Sequence, residues 1–339
     1  MRYSAPVSSI FAVTLPFFAL VLCGYLAARR GVLPESAIPG LNGYVLYFAL
    51  PCMLFRFGSE TPLFDLLNPV VLAVYVAAAL LIVFFTIAVT MNERVGLKDA
   101  AFGALVAAFP NTGFMGVPLL VALLGSAAAG PVISSILADF FITSTLCLAL
   151  AQAAGAAGAA AAGGAADAAS ASARQAALRA LRAALGNPLP WSIALGAVFS
   201  VAGLTLPGPA AKVVEMLAAS ASPVALFTIG VVLWRSSQHA HTRTPVTDYL
   251  PVALIKLFVH PLLVFLLGGA ALALGAPLTK FQLVVLTLAA ALPSASNVSL
   301  LTERYGADSG RVARIIMSST VLAFGSFSAL AWLFGVNPA

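Results

Sequence analysis

Ala107-Ala108-Phe109-Pro110-Asn111-Thr112-Gly113-Phe114-Met115-Gly116-Val117-Pro118 and Ala291-Leu292-Pro293-Ser294-Ala295-Ser296-Asn297-Val298-Ser299 are the two stretches that decide the fold. Each sets a proline and a cluster of polar residues inside a run otherwise apolar enough for lipid. Proline removes an intrahelical hydrogen bond and clashes with the preceding turn. Gly113 and Gly116 loosen the first stretch further, and Asn, Thr and Ser side chains can bond the freed peptide groups. Each stretch therefore reads as a helix that stops and restarts inside the membrane. Irregular backbone at that depth is tolerated only where it is buried in protein or lines a wet cavity. A restarted half-helix presents unpaired N–H groups and about half a positive charge. Two of them meeting near the midplane form an anion site without a buried lysine, each end contributing up to ~2 kcal/mol when partly buried. The alternative reading is a pair of proline kinks with structural asparagines.

The composition agrees with a membrane setting. Of 339 residues, 61% are hydrophobic and 8% charged, where a soluble domain carries roughly a quarter charged; the mean hydropathy is +1.04. A soluble enzyme, a disordered regulator and a disulfide scaffold are excluded. The net charge of +6 is no sign of a nucleic-acid partner, because no basic run interleaves aromatic residues for base stacking. Cys23, Cys52 and Cys147 lie far apart in apolar runs and read as buried thiols rather than metal ligands or a redox pair.

Ten runs are long enough to cross a bilayer as helices: Ser8–Ala28, Ser36–Phe57, Pro69–Met91, Lys98–Leu124, Pro131–Gln152, Pro188–Leu206, Ala211–Arg235, Tyr249–Leu274, Phe281–Thr302 and Arg311–Phe334. In the first, the basic pair Arg29 and Arg30 follows the apolar run, so it reads as a retained helix and not a signal peptide. With the amino terminus outside, Arg29, Arg30, Arg94, Lys98, Arg174, Arg179, Arg182, Arg235, Arg243, Arg304, Arg311 and Arg314 fall inside; Arg2, Arg56, Lys212 and Lys280 fall outside. That bias places both termini outside and the 155–187 connection in the cytoplasm. Gly155–Ala173 reads as an Ala/Gly-rich linker. Arg174–Leu185 reads as a short amphipathic helix on the membrane surface, or as a partner-docking site.

Prolines recur in register: Pro16 with Pro190, Pro51 with Pro223, Pro69 with Pro251 and Pro110 with Pro293, at separations of 174, 172, 182 and 183. They imply a duplicated five-helix unit, residues 1–154 and 188–339, joined by 155–187. An odd number of spans per unit turns the second copy upside down, an arrangement typical of secondary transporters.

Pro110–Leu119 resembles the central motif of the auxin efflux carrier family, which includes plant PIN-type carriers and bacterial malonate- or malate-type carriers. Leu41-Asn42-Gly43-Tyr44-Val45-Leu46-Tyr47-Phe48-Ala49-Leu50-Pro51 is similar to that family's second-helix motif, and Ala290–Pro293 with Tyr305-Gly306 to its ninth-helix region. The resemblance implies an all-α, ten-helix, bile-acid-symporter-like 5+5 inverted repeat, with broken helices 4 and 9 crossing. It also implies a scaffold of helices 1, 2, 6 and 7, a transport domain of helices 3–5 and 8–10, and a homodimer. Gly43 stands where plant members usually have Arg, and the long hydrophilic plant loop is absent, which favours a small bacterial-type organic anion over auxin.

The expected substrate site comprises Pro110, Asn111, Thr112, Gly113, Pro293, Ser294, Ser296 and Asn297. Asn42 either reaches the site from the scaffold or serves as a cap. Charges inside spans are costly. Asp139, or the face shared by Lys256 and His260 one turn apart, is expected to line the crossing region as a coupling group; the alternative is a static buried pair that holds helices together. Arg56 and Glu215 read as interfacial, Trp191, Trp234 and Tyr249 as interface anchors, and Glu303, Arg304, Arg311 and Arg314 as a solvated inner loop. No phosphate-binding loop, catalytic triad or metal cluster is visible. The expectation is a non-enzymatic secondary carrier of a small carboxylate in a lipid bilayer, working by alternating access of elevator type. It needs no cofactor, and H+ or Na+ is the candidate coupling ion. A cation/proton antiporter or a channel is the alternative.

Overall fold

The computed structural model describes residues 7–62, 66, 68–161, 175, 178, 182, 185–238 and 244–336. Their regular structure is all helical: α1 (Val7–Arg29), α2 (Ala37–Glu60), α3 (Pro69–Thr90), α4 (Leu97–Ala108), α5 (Thr112–Leu124), α6 (126–161), α7 (Pro188–Ala202), α8 (Gly208–Gln238), α9 (Val246–Ala273), α10 (Lys280–Ala290), α11 (Val298–Tyr305) and α12 (Ser309–Leu333). Seven of these are long and apolar enough to cross a membrane: α1, α2, α3, α6, α8, α9 and α12. The other three expected spans differ for local reasons. Lys98–Leu124 and Phe281–Thr302 are each divided by their proline-centred stretch, into α4 and α5 and into α10 and α11, and α7 is a 15-residue helix. Exposed Leu15, Phe84, Trp191 and Leu266 on outer faces suit contact with lipid chains.

Proline marks the helices in a second way. Wide π-helical turns occupy Val45–Ala49, Thr112–Gly116 and Ile255–Val259, and in each case a proline (Pro51, Pro118, Pro261) follows two residues later. The wider turn moves the carbonyl with which the ring would collide. A fourth π turn, Asp139–Thr143, has no such proline.

Two helix pairs approach to backbone contact. In α1 and α8, a Cβ added to Gly24 would stand 1.9 Å from the Phe227 carbonyl oxygen, and one on Gly230 would stand 1.9 Å from that of Val21. In α2 and α7, a Cβ on Gly58 would stand 2.9 Å from the Ile193 oxygen and one on Gly196 2.4 Å from that of Phe55. Gly24 and Gly196 are 172 residues apart, as are Gly58 and Gly230. A second group of helices packs together: α3 with α4, α6 and α9; α9 with α10 and α12.

Several sequence expectations are corrected. Arg311 is not in a solvated loop: it is 2% exposed, donating from Nε to the Asp248 carbonyl and from Nη1 to that of Asp99, each at 2.8 Å. This joins the first turns of α4, α9 and α12, and Gly103 leaves the space that the guanidinium fills. Helix α6 continues through Ala161, into the stretch read as linker; residues 162–174, and most of the expected 174–185 helix, lie outside the described residues. Of the cysteines only Cys147 is buried; Cys23 is exposed. Arg56 and Glu215 pair at the surface with Glu60 and Lys212.

Candidate functional site

The two interruptions meet. The Asn111 N–H donates to the Pro293 carbonyl (2.8 Å), and the Ala295 N–H to the Phe109 carbonyl (3.0 Å), so Pro110 and Ser294 face each other as a single antiparallel bridge. Ser294 ties the junction down, its hydroxyl donating to the Val106 carbonyl (2.7 Å) and its N–H to Ser319 Oγ (3.2 Å). Groups freed by the two prolines thus satisfy one another, as a water-poor interior requires.

A cavity of about 260 Å³ opens beside this junction. Its wall includes Pro110, Asn111, Thr112, Gly113 and Phe114 from the first break, Ala295, Asn297 and Val298 from the second, and Asn42 and Leu46 from α2. Phe140, Ser144 and Leu148 of α6 face Asn187 and Leu189 at the start of α7. The first turns of the restarted helices α5 and α11 therefore form part of the lining, and neither restart is capped by a side chain. Among the described residues, the side-chain amides of Asn42, Asn111 and Asn297 make no hydrogen bond to protein. The remaining lining is mostly aliphatic and aromatic, Phe109 and Phe140 meeting edge to face at 5.6 Å. Among the described residues, no Asp, Glu, Lys, Arg or His is in the wall. Such a pocket offers uncharged donors on one patch and apolar surface elsewhere, which suits orientation of a small ligand without a fixed counter-charge.

The expected site residues separate into three groups. Asn42, Pro110, Asn111, Thr112, Gly113 and Asn297 line the cavity. Pro293, Ser294 and Ser296 do not: all three are buried, Pro293 and Ser294 building the junction and the Ser296 carbonyl accepting from Ser299 in the first turn of α11. Asp139, Lys256 and His260 do not line the cavity and are fully buried, Lys256 reaching the crossing region through Ala290, three residues before Pro293. Asp139 accepts from Tyr75 Oη on Oδ2 (2.8 Å) and from Thr143 Oγ1 on Oδ1 (3.1 Å). Lys256 Nζ donates to the carbonyl of Ala290, the last residue of α10, and lies 3.2 Å from His260 Nδ1. Asp139 and Lys256 form no direct ion pair. The Tyr75 ring, 5.9 Å from that of His260, stands between the two groups. An ammonium at the C-terminal end of an interrupted helix offsets the partial negative charge there.

Sequence reading missed Asn187, Ser144 and Tyr75. Asn187 carries a local signal, an Asn before Pro188, and its Oδ1 caps α7 by accepting from the Leu189 N–H; nothing local shows that it also faces the cavity. Tyr75 carries one as well, a phenol inside an apolar run that needs a partner when buried.

An all-helical chain with seven membrane-length helices and a cavity where two broken helices meet is a polytopic membrane transport protein. The chain belongs to the auxin efflux carrier family: the family described as membrane transport protein matches residues 9–332. It is 29% identical over 337 residues to a protein of Rhizobium meliloti (strain 1021) provisionally named a malonate transporter, covering 98% of both chains. It is 24% identical over 295 residues to the uncharacterized transporter YfdV of Escherichia coli (strain K12), covering 86% of this chain and 87% of that one. Auxin efflux carrier component 8 of Arabidopsis thaliana matches at 25% over 150 residues, 42% of this chain and 41% of its own.

Proposed function

We propose that this protein is a secondary active carrier, not an enzyme, for a small organic anion such as a malonate-like carboxylate. The observation that carries this reading is the cavity at the paired breaks, where three unpartnered amides and two uncapped helix starts converge. A carboxylate there would accept from Asn111 and Asn297, and from Asn42 on the facing helix. The name of the Rhizobium meliloti relative points to the same class of substrate.

Alternating access follows from a ten-span, 5+5 inverted repeat. The matched glycine pairs support it, since α1 with α8 and α7 with α2 make equivalent contacts at one sequence offset. Helices α1, α2, α7 and α8 form the scaffold, and α3–α6 with α9–α12 the moving unit that carries the breaks. In this reading both termini are outside, the central connection is cytoplasmic, the membrane is a bacterial inner membrane and the carrier is a homodimer. The coupling ion is a proton held at Asp139. A cation/proton antiporter would be expected to place carboxylates at the cavity, whose wall contains none among the described residues.

The test is a thermal-shift screen of purified protein against carboxylates and against alkali cations. Ligands that bind the folded state raise its melting temperature by mass action. The expected result is stabilisation by carboxylates in a saturable manner. Stabilisation by cations alone would overturn the assignment.

A further inference from the structure

The cavity lies to one side of the junction. Apart from the first turn of α5 at the junction itself, its wall is built from the start of α2, the start of α7, the end of α4, the latter part of α6 and α11. These segments lie between the junction and the side carrying Arg29 and Asn187, the linker side. On the opposite side Leu119, Leu120 and Leu123 of α5 are fully buried, with α5 packed against α1. The far side has its own fastening. Phe324 of α12 is in contact with two rings of α1, Phe11 at 5.4 Å and Phe18 at 5.1 Å. One turn further along α12, Ser328 Oγ lies 3.3 Å from Thr14 Oγ1, both hydroxyls buried.

These residues have mirror positions. Phe140 and Phe324 are 184 residues apart, and so are Ser144 and Ser328. At the 172-residue offset that matches Gly24 with Gly196, Pro16 corresponds to Pro188, so the stretch of α1 from Thr14 to Phe17 corresponds to the start of α7 from Gly186 to Leu189. On the far side the α12 pair is closed onto α1. On the linker side the corresponding α6 pair, Phe140 and Ser144, lines the cavity together with Asn187 and Leu189 and makes no hydrogen bond or ring contact with them. The same surfaces are thus shut at one end and parted at the other.

We propose that the Phe324–Phe11/Phe18 wedge and the Thr14–Ser328 hydroxyl pair form the far-side gate. Phe140 and Ser144 closing onto Asn187 and Leu189 form the linker-side gate, and the two close in turn. This rests on the carrier reading of the same cavity, but it specifies which residues part and which state the structure represents. The gate also predicts that the bound ligand is reached from the linker side first.

The test uses the full-length protein in liposomes, with Cys23, Cys52 and Cys147 replaced by alanine. A short bis-methanethiosulfonate reagent should bridge Thr14→Cys and Ser328→Cys. Bridging should leave a reporter thiol at Leu301→Cys, in the cavity wall, open to a membrane-impermeant maleimide from the linker side. It should also stop ligand counterflow until reductant is added. Failure to bridge, or counterflow continuing in bridged protein, would overturn the gate. Phe324→Ala should lower reporter labelling roughly tenfold by favouring the opposite state; unchanged labelling would also overturn it. Labelling needs no substrate, so a failed carboxylate screen with labelling as predicted would reject the substrate class and leave the gate standing.

Discussion

The Asn111 N–H donates to the Pro293 carbonyl across 2.8 Å, joining two residues 182 positions apart in the chain. This bond, with its partner from Ala295 to Phe109, turns two separate defects into one stable junction. Neither half could leave its broken backbone facing lipid. Together they satisfy each other and free the adjacent amides for a ligand.

Those amides give the first prediction. Asn111→Ala and Asn297→Ala each remove an unpartnered amide from the cavity wall. A hydrogen bond to a charged group contributes about 1.5–3 kcal/mol, so each variant should bind carboxylate roughly ten- to hundredfold more weakly. Melting temperatures without ligand should match the parent, because neither amide holds the fold together. Titration calorimetry beside a thermal melt checks both halves of the statement.

Lys256 should behave in the opposite way. Lys256→Met leaves the Ala290 carbonyl at the end of α10 without its donor. An unsatisfied buried acceptor costs about 1–3 kcal/mol, so the purified variant should melt at lower temperature whether or not ligand is present. An unchanged melt would show that the ammonium is not needed at that helix end.

Asp139→Asn keeps the volume of the side chain and an acceptor for the Tyr75 hydroxyl, so the variant should insert and fold. With the coupling proton held at Asp139, its uptake should lose the pH dependence of the parent. Proteoliposome uptake across a pH series measures this. A profile that follows the parent would assign Asp139 to structure alone.

Backbone contact between α1 and α8 makes a further, purely steric prediction. A methyl group at Gly230 would stand 1.9 Å from the Val21 carbonyl oxygen, whereas one at Gly40 meets nothing within 4 Å. Overpacking typically costs about 1–3 kcal/mol and sometimes more. Gly230→Ala should therefore lose monodisperse protein in detergent, while Gly40→Ala should purify as the parent does.

The breaks were legible because they are local chemistry: Pro110 and Pro293 disrupt a helix wherever they occur, and the residues around them are polar inside an apolar run. The same logic pointed to Asn111 and Asn297, and the second-helix motif to Asn42; all three line the cavity. It reaches less far where position depends on packing. Pro293, Ser294 and Ser296 read as ligand contacts, but Pro293 and Ser294 are placed in the junction and the Ser296 carbonyl accepts from Ser299 in the first turn of α11. Asp139 and Lys256 were noticed for their charge. The Tyr75 hydroxyl that binds Asp139 and the Ala290 carbonyl that binds Lys256 come from other helices, which no sequence period reveals. Arg311 read as part of a solvated inner loop because Glu303, Arg304 and Arg314 lie close to it in the chain. Only the assembled first turns of α4 and α9 supply the carbonyls that bury it.

Solute counterflow in proteoliposomes tests the central claim most directly. Vesicles loaded with unlabelled malonate should accumulate labelled malonate transiently with the parent protein. The Asn111→Ala/Asn297→Ala double variant, reconstituted at equal amount, should give no overshoot. Equal accumulation by parent and double variant would contradict the account, because transport would then be independent of the paired helix breaks.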